Sequence, residues 1–110
     1  MNVLLLGRKG VVVEEARRRL GLSGVRLYGG SNIDDVRRVF DEAPIDHVVM
    51  GAGIDLPARL EIVREIFLRS DTTTVHLKDV ASGPEGFLPF VRTVLAGLRG
   101  QALDALGASR

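Results

Sequence analysis

Two groups of residues in this 110-residue chain have the types and spacing to do chemistry. The first is Gly7-Arg8-Lys9-Gly10, directly after a short apolar run. Glycine lets main chain approach a ligand closely. Gly10 opens the following helix without a side-chain cap, which leaves that helix's first amides to an anion beside two cations. The loop lacks the Gly-Lys-Ser/Thr ending of a P-loop, which argues against nucleotide hydrolysis by that route. The second group is His76, Lys78 and Asp79. A histidine near a strand end can act as acid, base or ligand, while Lys78 and Asp79 can equally pair with each other in water.

Several chemistries are argued against by composition. The chain has no cysteine, so disulfides, thiolate nucleophiles and cysteine-ligated zinc are out. His47 reads as a structural histidine at a strand start, and two histidines without a carboxylate at ligand spacing make no metal site. No Gly-x-Ser-x-Gly elbow supports a serine nucleophile. The net charge of +1 gives no electrostatic case for nucleic acid or an anionic membrane. The densest basic run, Arg17-Arg18-Arg19 after Glu14-Glu15, reads as a solvated helix face with i,i+3 and i,i+4 partners. Met1-Asn2 before Val3–Leu6 lacks the basic start and apolar length of a signal peptide. No apolar run is long enough to span a bilayer, so a cytoplasmic chain is expected.

The elements that must position these groups follow from patterning. Val3–Leu6 is a continuous apolar run of the kind buried on both faces of a parallel sheet. Val12, Val13, Ala16 and Leu20 mark a helix, and Val25–Tyr28 a second strand closed by Gly29-Gly30. Asn32 or Ser31 caps the next helix, with Asp34 and Asp35 in its first turn and Ile33, Val36, Phe40 and Ala43 as its buried stripe. Asp46–Met50 is a third strand. Asp55 and Pro57 start a third helix, whose buried stripe is expected at Leu56, Leu60, Val63 and Phe67, widened by Ile62 and Ile66. Thr72–Leu77 is a β-branched fourth strand. After a loop at Ser82-Gly83-Pro84, a last helix runs from about Glu85 to Leu98.

Strands alternating with helices predict a three-layer α/β/α fold, Rossmann-like or flavodoxin-like, with a small, mostly parallel sheet of about four strands. Residues 1–100 form a single domain, and 101–110 a tail, partly helical or disordered. In such sheets ligands bind beyond the carboxyl ends of the strands. That gathers Gly7, Arg8, Lys9, Gly10, Ser31, Gly51, Ala52 and Gly53 as ligand-binding candidates, with His76, Lys78 and Asp79 as weaker catalytic ones.

The stretch Ile33–Ile54, which leads through an acidic turn and helix into a strand ending in Gly51-Ala52-Gly53, resembles the middle of a short-chain dehydrogenase/reductase. The N-terminal LLLGRKG is similar to a shortened dinucleotide loop. The resemblance implies an NAD(P) or other nucleotide crevice with Gly7, Arg8, Gly10, Ala52 and Gly53 near the cofactor. Val13 stands where a third glycine would fall, Gly29-Gly30-Ser31 replaces the acidic residue that holds a ribose, and no Tyr-x-x-x-Lys is present, the sole tyrosine being Tyr28. The chain also resembles a receiver domain in size and element order. Gly7-Arg8 and Met50-Gly51 stand where that family carries its acidic pair and phosphoacceptor aspartate, which implies a pseudo-receiver without phosphotransfer.

The functional expectation is a domain that binds a nucleotide or other small anionic ligand at the strand ends, without a complete catalytic motif. The alternatives are a dimerising or partner-binding module that takes no ligand, and an enzyme whose site is completed across a dimer. A homodimer is expected through the last helix, where Leu88, Leu95 and Phe90 span a wider arc than one sheet-facing stripe needs.

Overall fold

The computed structural model describes residues 1–79 and 84–108. Four strands alternate with four helices: β1 Asn2–Leu6, α1 Val13–Leu20, β2 Arg26–Gly30, α2 Ile33–Glu42, β3 His47–Met50, α3 Leu56–Arg69, β4 Thr74–Leu77 and α4 Phe87–Ala108. A single 3₁₀ turn, Pro84–Gly86, precedes α4. All strands are parallel, in the order β2-β1-β3-β4, so the fold is the expected three-layer α/β/α arrangement. Of the expected loop, Ser82 and Gly83 lie outside the described residues, as do the last two residues of the expected tail. No helix among the described residues is long and apolar enough to cross a membrane.

The central strand explains the layering. Alternate side chains of a strand point to opposite faces, and Val3–Leu6 is apolar at every position because both faces are covered. Leu4 and Leu6 join Val48, Met50, Val36, Val39, Ile62 and Ile66 beneath α2 and α3. Val3 and Leu5 join Val49, Leu27, Ala16, Leu20, Val91 and Leu95 beneath α1 and α4.

Helix ends follow local chemistry. The Asn32 side chain accepts from the Asp35 amide at 3.0 Å, and Asp55 accepts from the Ala58 amide at 3.0 Å, two side-chain N-caps. Helix α1 stops at Gly21, which adopts φ +59°, a left-handed conformation that glycine takes without penalty. Glu14 pairs with Arg17 and Glu15 with Arg19, so the basic run is the solvated face expected.

Several details differ from the sequence reading, among them the end of the last helix, which runs to Ala108 and not to about Leu98. Strand β2 runs through Gly29 and Gly30, which pair with Leu5 and Leu6, instead of ending before them. A Cβ at Gly29 would stand 2.9 Å from the Val11 carbonyl oxygen, and one at Gly30 would stand 2.7 Å from Asp35 Cβ. These glycines are needed for close approach of the protein's own chain. On α3 the buried positions are Arg59, Ile62 and Ile66, while Leu56, Leu60 and Phe67 of the expected stripe are exposed. On α4, Leu95 is fully buried, and Leu88 and Phe90 pack against the same core. Among the helix residues whose exposure is described, the exposed large apolar side chains lie on α3.

Candidate functional site

The chain order reverses direction between β1 and β3, since β2 lies on one side of β1 and β3 on the other. Ligands of open α/β sheets favour the carboxyl edge at such a point. Two segments border it here. Gly7–Gly10 is a tight turn, with the Gly10 amide donating to the Gly7 carbonyl at 3.0 Å and Gly10 at φ +82°. Gly51–Gly53 follows β3, with the Gly51 amide donating to the Leu6 carbonyl at 2.8 Å.

The two segments touch. A Cβ on Gly53 would stand 3.0 Å from Arg8 Cβ, and one on Gly51 would stand 3.3 Å from the Phe87 ring. The clearance that these glycines provide is occupied by Arg8 on one side and by the start of α4 on the other. Ser31 is also engaged, its amide and hydroxyl both donating to Asp35 Oδ2, at 2.7 and 3.3 Å. What stays open is the rim: Arg8, Lys9 and Gly10 are exposed. Helix α1 begins at Val13, and its N-cap Val12 supplies no side-chain bond. Ala16 is the first residue of that helix whose amide bonds back along the chain, to the carbonyl of the N-cap Val12; the amides before it have no intrahelical partner, as at any helix N-terminus.

The second group separates into two. Lys78 is fully buried, and its Nζ donates to the Asp79 carbonyl at 3.1 Å. Beside it lies a cation that sequence reasoning missed. Arg59 is 8% exposed, donates from Nε to the Ile54 carbonyl at 2.8 Å and from Nη1 to the Lys78 carbonyl at 3.2 Å. It ties the β3–α3 loop to the end of β4. The signal for it was available: Arg59, Ile62 and Ile66 recur at i, i+3 and i+7, a helix-face spacing, and the arginine sits in the buried stripe. Among the described residues other than Asp79, no carboxylate lies within ion-pairing distance of Arg8, Lys9, Arg59 or Lys78.

His76 belongs elsewhere. Its Nε2 lies 2.8 Å from Thr74 Oγ1, and the same hydroxyl lies 2.6 Å from His47 Nδ1. The two rings meet edge-on with centroids 6.2 Å apart. This relay lies on the α1/α4 side of the sheet, where His76 borders a groove of about 230 Å³ with Thr93, Val94, Gly97 and Leu98. Burial lowers the basicity of both imidazoles below the usual value, and at His76 the neighbouring His47 adds to the effect. Thr74 was not anticipated as the link, because the pairing of His47 with Thr74 across β3 and β4 depends on strand register. No group of three or more His, Asp or Glu among the described residues is placed to hold a metal ion.

No protein-family model, curated protein or solved structure matches this chain.

Proposed function

We propose that the chain binds a small anionic ligand, a nucleotide or simpler phosphate compound, on the rim formed by the β1–α1 turn, the β3–α3 loop and the end of β4. One observation carries the reading. Arg8, Lys9, Arg59 and Lys78 belong to segments at the carboxyl end of the sheet, with no ion-pair partner among the described residues other than Asp79, and two of them are more than nine-tenths buried. The described partners of Arg59 and Lys78 are carbonyls; burying a cation on neutral partners is costly, and an anion at the rim offsets that cost. The uncapped amides of α1 add donors and the positive end of a helix dipole.

The closed glycine clearances favour a ligand held by its phosphate at the rim over a dinucleotide sunk between β1 and β3. The engagement of His76 Nε2 with Thr74 favours binding over catalysis at that residue. The test is a titration of the isotopically labelled protein with inorganic phosphate, AMP and NAD, following backbone amides. Binding at the rim moves the amides of Arg8 to Glu15, and Arg8→Ala with Lys9→Ala abolishes the movement. Unmoved amides at millimolar phosphate and nucleotide overturn the reading.

A second reading, a self-associating module, is favoured by a different observation: Leu56, Leu60, Phe67 and Leu77 are large, apolar and exposed.

A further inference from the structure

We propose that two copies of this chain pair through the outer flank of α3 and the open edge of β4, with β4 antiparallel to its copy and α3 packed on its copy. This rests on the self-association reading and assigns it a surface.

Helix geometry defines the flank. Arg37 of α2 pairs with Glu65, and Asp41 pairs with Arg69, so one side of α3 faces α2. Ile62 and Ile66 face the sheet. At 3.6 residues per turn, Leu56, Leu60, Val63 and Phe67 fall on the opposite side from α2. That side overhangs β4, where Leu77 is 44% exposed. Leu77 shares its sheet face with Val75, which packs in the α2/α3 core.

The strand beneath is the edge of the sheet. The amides of Thr74 and Lys78 donate to Asp46 and Met50 on β3, so those of Val75 and Leu77 point away from it. Sheet edges are normally guarded by proline, an outward lysine or a bulge. Thr72–Leu77 has neither proline nor lysine, Thr74–Leu77 pairs with β3 in unbroken register, and Lys78 beyond it is buried.

Area and charge both point to a second copy as the occupant. The four residues Leu56, Leu60, Phe67 and Leu77, each roughly half exposed, present on the order of 400 Å² of apolar surface. A two-fold pair covers about 800 Å² of it, which at a roughly 60% apolar share corresponds to an interface of about 1,300 Å², within the standard class. A two-fold axis brings each group near its own copy, so charge on the patch would meet like charge. The flank positions 56, 60, 63 and 67 and the strand Thr74–Leu77 carry no acidic or strongly basic side chain. An uncharged stripe beside an unguarded edge is complementary to itself.

The experiment is sedimentation equilibrium of the full chain from about 1 to 300 µM, with circular dichroism to verify folding. The wild type is expected to dimerise. Leu60→Asp with Phe67→Asp should weaken dimerisation at least about 100-fold. Leu77→Pro, which removes an outward amide together with the exposed Leu77 side chain, should weaken it at least about 10-fold. A wild type that stays monomeric over the whole range overturns both the surface and the self-association reading. A dimer that is indifferent to the α3 and β4 variants but dissociates on Phe90→Asp overturns the surface and leaves self-association standing.

Discussion

Helices α3 and α4 lie on opposite faces of the same sheet, and each carries more apolar residues than one stripe requires. They spend the surplus differently. On α4, Val91 and Leu95 are fully buried, while Leu88, Phe90, Val94 and Leu98 pack around them against α1 and the sheet. On α3 only Ile62 and Ile66 are buried among the apolar residues, and Leu56, Leu60 and Phe67 stay in water. The neighbours make the difference. Helix α4 crosses beside α1, whose Ala16 and Leu20 accept its flank. Helix α3 meets α2 through ion pairs on one side, and on the other, where the sheet ends at β4, Leu56, Leu60 and Phe67 are exposed among the described residues. Apolar content alone does not say where a helix offers an interface; its place relative to the sheet edge does.

The largest effect that can break this contrast is a charge in each helix. Leu95→Asp places a carboxylate at a fully buried position and should cost more than about 4 kcal/mol, enough to unfold most small domains. Leu60→Asp, at a position 60% exposed, should change the stability of the monomer by less than about 0.5 kcal/mol. Urea unfolding at low micromolar concentration measures both. Comparable losses in the two variants would mean that α3 buries the flank assigned to water.

Within α3 the contrast sharpens to two residues. Ile62→Ala should cost about 2–5 kcal/mol and Phe67→Ala less than about 1 kcal/mol, despite the greater size of phenylalanine. The reverse order would restore Leu56, Leu60 and Phe67 as the core stripe.

Between the faces, at the end of β4, lies Lys78. Lys78→Met keeps the volume and removes a buried charge. Thermal unfolding without ligand should show a gain of about 1–4 kcal/mol, together with loss of the response to phosphate. A stabilised variant that still responds would remove Lys78 from the rim site, whereas a destabilised one would show that the charge supports the fold.

How much of this was readable from sequence depended on the range of the interaction. The apolar run Val3–Leu6 and the caps Asn32 and Asp55 are local signals, and they marked the strand and helix starts. So did the alternation that implied a three-layer α/β/α fold. The face of α3 was not local. Leu56, Leu60, Val63 and Phe67 fit a buried stripe as well as Arg59, Ile62 and Ile66 do, and the choice was made by the position of β4 at the sheet edge. The glycines were visible, yet whether Gly29, Gly30, Gly51 and Gly53 admitted a ligand or the chain itself depended on where Val11, Asp35, Phe87 and Arg8 would fall. The candidate rim was legible at Arg8 and Lys9. Its buried half was legible as Lys78 and, through the spacing of Arg59 with Ile62 and Ile66, as a buried arginine; that Arg59 reaches the end of β4 was not, because that contact depends on the tertiary fold.

The smallest expected effects are in pH dependence, and they divide the two faces by window. On the α1/α4 face, burial depresses the basicity of His47 and His76. The unfolded chain therefore takes up protons first, and stability should be fully present above about pH 6.5 and decline as the pH falls below it. His76→Gln should flatten that decline. On the α2/α3 face, hydrogen bonds from Arg69 and Arg37 hold the Glu65 carboxyl below its usual range. Its contribution is present above the ordinary glutamate value of about 4.3 and lost as the pH falls through the lowered one. Glu65→Gln should alter only the acid limb. Urea midpoints between pH 3 and 8 read both, and a single shared window would contradict the separation.

The contrast between α3 and α4 is tested most directly by hydroxyl-radical footprinting of the wild type at 1 µM and at 300 µM, read residue by residue. At the lower concentration Leu56, Leu60 and Phe67 should be oxidised readily and Val91 and Leu95 should not. At the higher one Leu56, Leu60, Phe67 and Leu77 should become protected while exposed Val12 on the opposite face stays reactive. Protection of Phe90 and Leu88 with concentration, while Leu60 and Phe67 remain equally reactive throughout, would contradict the account.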